Sequence, residues 1–291
     1  MSKFLLKVLG VLVVAVFLYF PLDGRGEEVL KPYEGISAEE LMKIKYRIKY
    51  TKFAKDYQST GDFYLTDKRG FRRHRRFLRK RITLNRPADG LDYKDMVVIT
   101  RPANIKGLAV LTWCYLDPKR EREQWLWLPS QRKVRRTSPS RPDDAFLGTD
   151  FTVEELTSRK WEDETYKILR EEKFAGYESK LTGETYYSGL DCYVVEARPK
   201  KKDWYYTRRI VWLDKKTGAG IFDEIYDQLS RKSRIIFRKY DFLPEGPAQA
   251  LLECINLRTG HWTVVKMSEI KFNIGLKESA FTYKALERTK W

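Results

Sequence analysis

Leu108-Ala109-Val110-Leu111-Thr112-Trp113-Cys114-Tyr115-Leu116, followed beyond the turn Asp117-Pro118-Lys119 by Gln124-Trp125-Leu126-Trp127-Leu128, is the stretch that decides the fold. Both runs have the two-residue period of extended strands, and the break between them carries turn-forming residues. In the first run Ala109, Leu111, Trp113 and Tyr115 oppose Leu108, Val110, Thr112 and Cys114. In the second the indoles point one way and the leucines the other. An antiparallel sheet ordinarily presents polar residues on its solvated face. Here both faces are largely apolar, so a helix, a second sheet or a ligand must cover the second side.

Working outward, the same pattern recurs. Residues 60–84 read as a hairpin, with Gly61 to Thr66 and Phe71 to Leu84 flanking the turn Asp67-Lys68-Arg69-Gly70. Asp95 to Thr100 adds another strand. Beyond residue 190 come Cys192 to Arg198, Arg208 to Asp214, Gly220 to Tyr226, Arg231 to Phe237, Gln249 to Asn256 and His261 to Phe272, with turns at Lys215-Lys216-Thr217-Gly218 and Arg258-Thr259-Gly260. Helices do not alternate with the strands, so the reading is an antiparallel meander in an α+β, mainly β domain. Two helix starts stand out. Ser37 with Glu40 forms a capping box opening a helix to about Arg47, with Leu41, Ile44 and Ile48 on one face, and Thr152 with Glu155 opens a shorter one reaching Ser158.

The 291 residues carry 57 Lys plus Arg against 40 Asp plus Glu, a net charge of +17, and their 8 Trp, 18 Tyr and 15 Phe place the chain among folded, basic proteins rather than disordered ones. At the N-terminus Lys3 and Lys7 precede the apolar run Val8 to Phe20, which breaks at Pro21 before Gly24-Arg25-Gly26. This is the layout of a cleaved secretory signal peptide over residues 1–26, leaving 27–291 as a single exported, periplasmic domain. The apolar run is short for a spanning helix. Export redirects the meaning of the charge, because a basic protein outside the cytoplasm meets anionic lipid before nucleic acid.

Catalytic and metal motifs are missing from the sequence. The 3 Cys and 2 His include no CxxC pair or clustered ligands for zinc, and no GxSxG elbow, HExxH helix or phosphate-cradling loop occurs. The expectation is a non-enzymatic protein without cofactor or metal. Cys114, Cys192 and Cys254 allow one disulfide and one free thiol or three buried thiols, and spacing does not choose between them. Lys68 to Arg86 holds ten Lys or Arg and no acid. It reads either as a solvated hairpin protected from edge pairing or as a contact for anionic lipid or an acidic partner through Arg72, Arg73, Arg75, Arg76, Arg79, Lys80 and Arg81. Only Phe71 and Phe77 interleave these charges, which argues against a nucleic-acid platform.

One further signal lies in a set of ordered motifs: Arg101-Pro102-Ala103-Asn104-Ile105-Lys106-Gly107, Gln124 to Ser130, Phe146-Leu147-Gly148-Thr149-Asp150-Phe151-Thr152, Cys192-Tyr193-Val194-Val195-Glu196, Val211-Trp212-Leu213-Asp214-Lys215 and Phe272-Asn273-Ile274-Gly275-Leu276. Their order resembles the LolA-like outer membrane lipoprotein-sorting protein family of bacteria. The resemblance implies a strongly curved antiparallel sheet, an incomplete β-barrel of LolA/LolB type, with helices covering the concave face and an apolar cavity between. It also implies carriage of lipid or lipoprotein acyl chains across the periplasm, an inner-membrane transporter of the resistance-nodulation-division (RND) type as partner, and no catalytic residue. The expected lining is Val97, Ile99, Leu108, Val110, Trp125, Trp127, Val194, Val211 and Leu213. The competing expectation is a cargo-free adaptor, its pocket filled by its own side chains, that docks on a transporter or an anionic membrane surface.

Overall fold

The computed structural model describes residues 31–137 and 141–288. The expected signal peptide, residues 1–26, lies outside them. The first helix starts where its capping box predicts: the Glu40 amide donates to Ser37 Oγ at 3.2 Å and the Ser37 amide donates to Glu40 Oε2 at 3.2 Å, opening α1 (Ala38–Lys49). It buries Leu41, Ile44 and Ile48 against Val195, Val211, Leu213 and Tyr240 of the sheet.

The first meander is β1 (Asp56–Thr66), β2 (Arg72–Arg86), β3 (Leu91–Arg101), β4 (Ala109–Tyr115), β5 (Glu123–Leu128) and β6 (Lys133–Thr137). After a long connection come β7 (Glu164–Lys173), the small hairpin β8 (Tyr177–Glu178) and β9 (Thr185–Tyr186), then β10 (Asp191–Pro199), β11 (Arg208–Asp214), β12 (Gly220–Tyr226), β13 (Lys232–Leu243), β14 (Gly246–Asn256) and β15 (His261–Phe272). All but β8 and β9 join one antiparallel sheet in the order β6-β5-β4-β3-β2-β1-β15-β14-β13-β12-β11-β10-β7. The sheet is an incomplete barrel with open edges at β6 and β7. Neither edge strand stands out in the sequence, because Lys133-Val-Arg-Arg-Thr137 and Glu164 to Lys173 are dominated by charge, as edges exposed to water tend to be.

The two meanders meet at β1 and β15, where Phe63 faces Val265 and Leu65 faces Thr263. The connection from β6 to β7 therefore has to travel from one edge of the sheet to the other. It crosses the inner face, and its Phe146, Phe151 and Val153 join Phe63, Phe77, Ile99, Ile236, Leu252 and Val265 in one buried cluster. The expected Thr152 box forms on the way: the Glu155 amide donates to Thr152 Oγ1 at 3.1 Å and the Thr152 amide to Glu155 Oε2 at 2.8 Å.

The outer face has two covers of its own. Residues 174–190 lay Phe174, Tyr177, Tyr186 and Tyr187 over Val194, Trp212, Phe222 and Phe237. The C-terminal segment, ending in α2 (Tyr283–Arg288), sets Phe281 and Leu286 on Trp125, with Trp113 and Trp127 beside them. Trp113 Nε1 donates to the Phe281 carbonyl at 2.9 Å, and the Asp56 carboxylate accepts the amides of Ile274, Gly275 and Leu276 at 2.8–3.1 Å, fixing the path of the segment. The two apolar faces read from the sequence are thus each covered by chain.

A buried ionic network ties the inner face together. Arg209 donates from Nε to Glu164 at 2.9 Å and from Nη1 to Asp223 at 2.6 Å; Asp223 also accepts from Arg238 at 2.8 Å and from Lys45 of α1 at 3.2 Å. Tyr206 Oη donates to Glu164 at 2.8 Å. Burial pushes the Glu164 carboxyl up, but the charge and hydrogen bonds of Arg209 outweigh it and hold it at about 2. Asp223 lies well below the ordinary carboxylate range because Arg238, Lys45 and Arg209 together outweigh its burial.

Two predictions follow from this packing. Phe281→Ala empties the fully buried site under the C-terminal segment and lowers unfolding free energy by about 3–5 kcal/mol in a urea titration followed by tryptophan fluorescence. Glu164 has a folded pKa below its ordinary 4.5, so its contribution is present above about pH 4.5 and is lost as pH falls towards 2. Glu164→Gln loses on the order of 3 kcal/mol at neutral pH and declines less steeply than wild type on acidification; equal acid slopes for the two proteins would refute the assignment.

Candidate functional site

The inner face, α1 and the crossing segment do not meet everywhere. They leave a space of about 90 Å³ between them. Its sheet wall is made by inward residues of neighbouring strands: Tyr57 and Phe63 of β1, Phe77 of β2, Val97 of β3, Val110 of β4, Leu252 of β14, and Val265 and Met267 of β15. Ile48 and Lys49 close it from α1, and Phe146, Phe151 and Leu156 from the crossing segment. Strand alternation is sufficient to build this wall, since every second side chain of each strand must face the cover.

The expected lining residues fall in five places. Val97 and Val110 line the cavity; Ile99 and Leu108, two positions along the same strands, belong to the adjoining buried cluster. Val211 and Leu213 also face inward but lie under α1. Val194 faces outward beneath residues 174–190, and Trp125 and Trp127 face outward towards the C-terminal segment. Hydrophobic alternation identifies two faces without saying which is inside, and the tryptophans of β5 belong to the outer one.

The same alternation divides the basic run. Inward along β2 go Phe77, Arg79 and Arg81, and both guanidiniums bind the one carboxylate of Asp95: Arg79 Nη2 donates at 2.8 Å and Arg81 Nε at 2.7 Å. Arg81 is 2% exposed and lies 4.5 Å from the centre of the Tyr93 ring. Arg75 donates to the Leu147 carbonyl at 2.6 Å, holding the crossing segment. Arg72 and Arg73 are exposed, while Arg76 and Lys80 are half-buried. The run is therefore not a single surface patch.

Several residues of the site were not anticipated from the sequence. Lys45 and Lys49 follow Leu41 at intervals of four, so they share the helix face that carries the apolar residues. Two lysines on the buried stripe of an amphipathic helix are the signal that could have found them. Arg238 of β13, at an inward position between Ile236 and Tyr240, joins Lys49, Arg79 and Arg81 on the cavity wall.

A second, wider space of about 480 Å³ adjoins the first, and Tyr93 lines both. Its wall mixes charges of both signs, Arg120, Arg141, Arg159, Lys160 and Lys200 with Asp92, Glu154, Glu162 and Asp163, among rings such as Tyr46, Tyr115 and Trp204. Tyr50 stacks on Tyr93 with ring centres 5.5 Å apart, and Tyr50 Oη donates to the Arg159 carbonyl at 3.0 Å. A charged vestibule thus lies next to the chamber.

The chemistry of this arrangement is binding. The carboxylates on the inner wall are engaged: Asp95 by Arg79 and Arg81, and Glu155 by Arg234 at 2.8 Å. The three cysteines are buried and form no disulfide with one another; burial pushes the Cys114 thiol up to about 11 and the Cys192 thiol to about 12, so both stay protonated at neutral pH. An apolar chamber with a few placed polar groups is the usual form of a ligand site.

Comparison with known proteins places the chain among relatives. A family model described as an uncharacterized protein, one of a "-like" family, matches residues 92–288, well over half of the chain. No curated protein matches the sequence. Among solved structures, a domain described as outer membrane lipoprotein-sorting from Vibrio parahaemolyticus is similar at a TM-score of 0.71 and 23% identity, over 86% of this chain and 98% of that one. A DUF1329 family protein from Desulfovibrio piger gives 0.72 and 22%, over 88% and 100%. A LolA superfamily protein from Nitrosomonas europaea gives 0.60 and 17%, over 86% and 100%. The match over residues 92–288 makes the chain a member of that uncharacterized family, and the structural likenesses show that it shares the fold of the lipoprotein-sorting domain and of the LolA superfamily protein.

Proposed function

We propose that this protein is a non-enzymatic carrier that binds lipid or lipidated cargo and moves it between the inner and outer membranes of a bacterial periplasm. The observation that carries the reading is the apolar chamber between the inner sheet face and its two separate covers, α1 and the crossing segment. The names of the Vibrio and Nitrosomonas structures, which speak of lipoprotein sorting and the LolA superfamily, support it. In this reading residues 1–26 are removed on export, residues 27–291 act as one carrier domain, and an RND-type transporter of the inner membrane supplies or receives the cargo. The cations Arg72, Arg73, Arg76 and Lys80, exposed or half-buried, are then available to an anionic membrane surface or to an acidic face of that partner.

Burial of acyl chain contributes about 0.8 kcal/mol per methylene, so a few turns of one chain suffice for useful affinity. The chamber of about 90 Å³ is smaller than the roughly 150 Å³ cavity that admits a benzene molecule. Loading must therefore displace a cover. The crossing segment is the candidate, because it inserts Phe146, Phe151 and Leu156 where a chain would lie. The same small volume favours the second reading, a cargo-free periplasmic adaptor whose pocket is filled by its own side chains.

Native mass spectrometry of the mature protein purified from its own periplasm, followed by lipid extraction, separates the two readings. A carrier shows bound lipid or takes it up from added vesicles; an adaptor shows neither, and that outcome ends the carrier reading. Val110→Trp fills the chamber from β4 and displaces about three methylenes of ligand, weakening lipid uptake by roughly tenfold or more while the circular dichroism spectrum is unchanged.

A further inference from the structure

The chamber is apolar in outline but not in charge. Arg79 and Arg81 share Asp95, and Arg238 shares Asp223 with Arg209 and Lys45, so guanidinium and ammonium groups outnumber the carboxylates that serve them. Glu155, which also lines the chamber, is engaged by Arg234 and, at 3.9 Å, by Arg159. Lys49 is left over. It lines the chamber from the last turn of α1, and its ammonium donates to Tyr50 Oη at 2.9 Å and sits 4.5 Å from the centre of the Tyr50 ring. Among the described residues it forms no ion pair with a carboxylate.

Lys49 is half-buried, and an ammonium drawn partly out of water without a counter-charge is unfavourable. Burial, followed by the charges of Arg159, Arg238 and Lys45, pulls Lys49 well below the ordinary lysine range. A molecule that brings a negative group to this point relieves the imbalance and satisfies donors that the protein leaves unused. Lys49 lines the chamber beside Val97, Val110, Leu252 and Met267 and also a small pocket on its other side with Lys45, Arg159 and Lys160, so a molecule that spans the two joins a negative group to an apolar tail.

We propose that the chamber selects anionic amphiphiles, with Lys49 binding the carboxylate or phosphate headgroup and the inner sheet face holding the tail. This rests on the carrier reading and narrows its cargo. Neutral lipids of the same chain length fill the tail site and leave Lys49 unanswered.

The test compares two fluorescent probes that share a tail and differ in charge, cis-parinaric acid and its methyl ester. Wild type binds the acid about tenfold more tightly than the ester. Lys49→Met removes that preference, bringing the acid-to-ester affinity ratio to about one, and Lys49→Arg restores it. Displacement of the acid by oleate assigns a carboxylate headgroup, and displacement by lysophosphatidylglycerol a phosphate one; either supports the proposal, and displacement by neither overturns it. Equal binding of acid and ester to wild type overturns the charge selection but leaves the carrier standing. Binding of neither probe overturns both.

Discussion

A sheet that is apolar on both faces cannot leave either face in water, and the rest of this structure follows from that constraint. Burial of the tryptophans and phenylalanines stabilises the molecule only if covering chain is supplied, and the protein supplies it from four separate segments: α1 and residues 141–163 inside, residues 174–190 and the C-terminal stretch outside. The inner crossing is also the connection demanded by topology, since β6 and β7 occupy opposite edges. A sheet of this many strands, spaced roughly 4.8 Å apart, would be about 60 Å wide if flat. Curving it shortens the crossing and turns the connecting chain into a cover.

The charges on the inner face answer a second problem. Helix α1 and β7 pack on a surface that also carries Arg209 and Arg238, and each of these guanidiniums needs partners once it leaves water. Glu164 at the start of β7 and Asp223 of β12 provide them, and Lys45 brings the helix into the same network. Buried ion pairs are weak sources of net stability but demanding in geometry. Here they register α1 and the edge strand against the middle of the sheet, so the chamber's dimensions depend on them.

Much of the fold was legible in the sequence because it is local. The Ser37 box, the Asp67 turn and the strands from β3 to β5 and β10 to β15 rest on neighbouring residues, and the structure has them at or within a few residues of the places read. What was not legible depends on partners distant in sequence. Strand alternation separates Val110 from Trp125 but does not say which is inside; the sign is set by residues 141–163 and 276–286, which lie elsewhere in the chain. The edge strands β6 and β7 are masked by the charge that suits an edge. In the basic run, Arg81 looks like its exposed neighbour Arg73, and only Asp95, across the β2–β3 pair, distinguishes them.

The pairing of β1 with β15 has a consequence for how such a chain comes to be folded. These strands form the centre of the sheet, yet they are its first and last strands in sequence, so the seam that unites the two meanders is a contact of very long range. Until β15 has emerged, β1 and β14 each have one unpaired edge, and the nascent protein is two part-sheets with sticky margins rather than one sheet. Completion is thus timed by the last strand: the final residues to arrive close the middle of the molecule, and only then do the C-terminal residues that follow have a finished outer surface on which to settle.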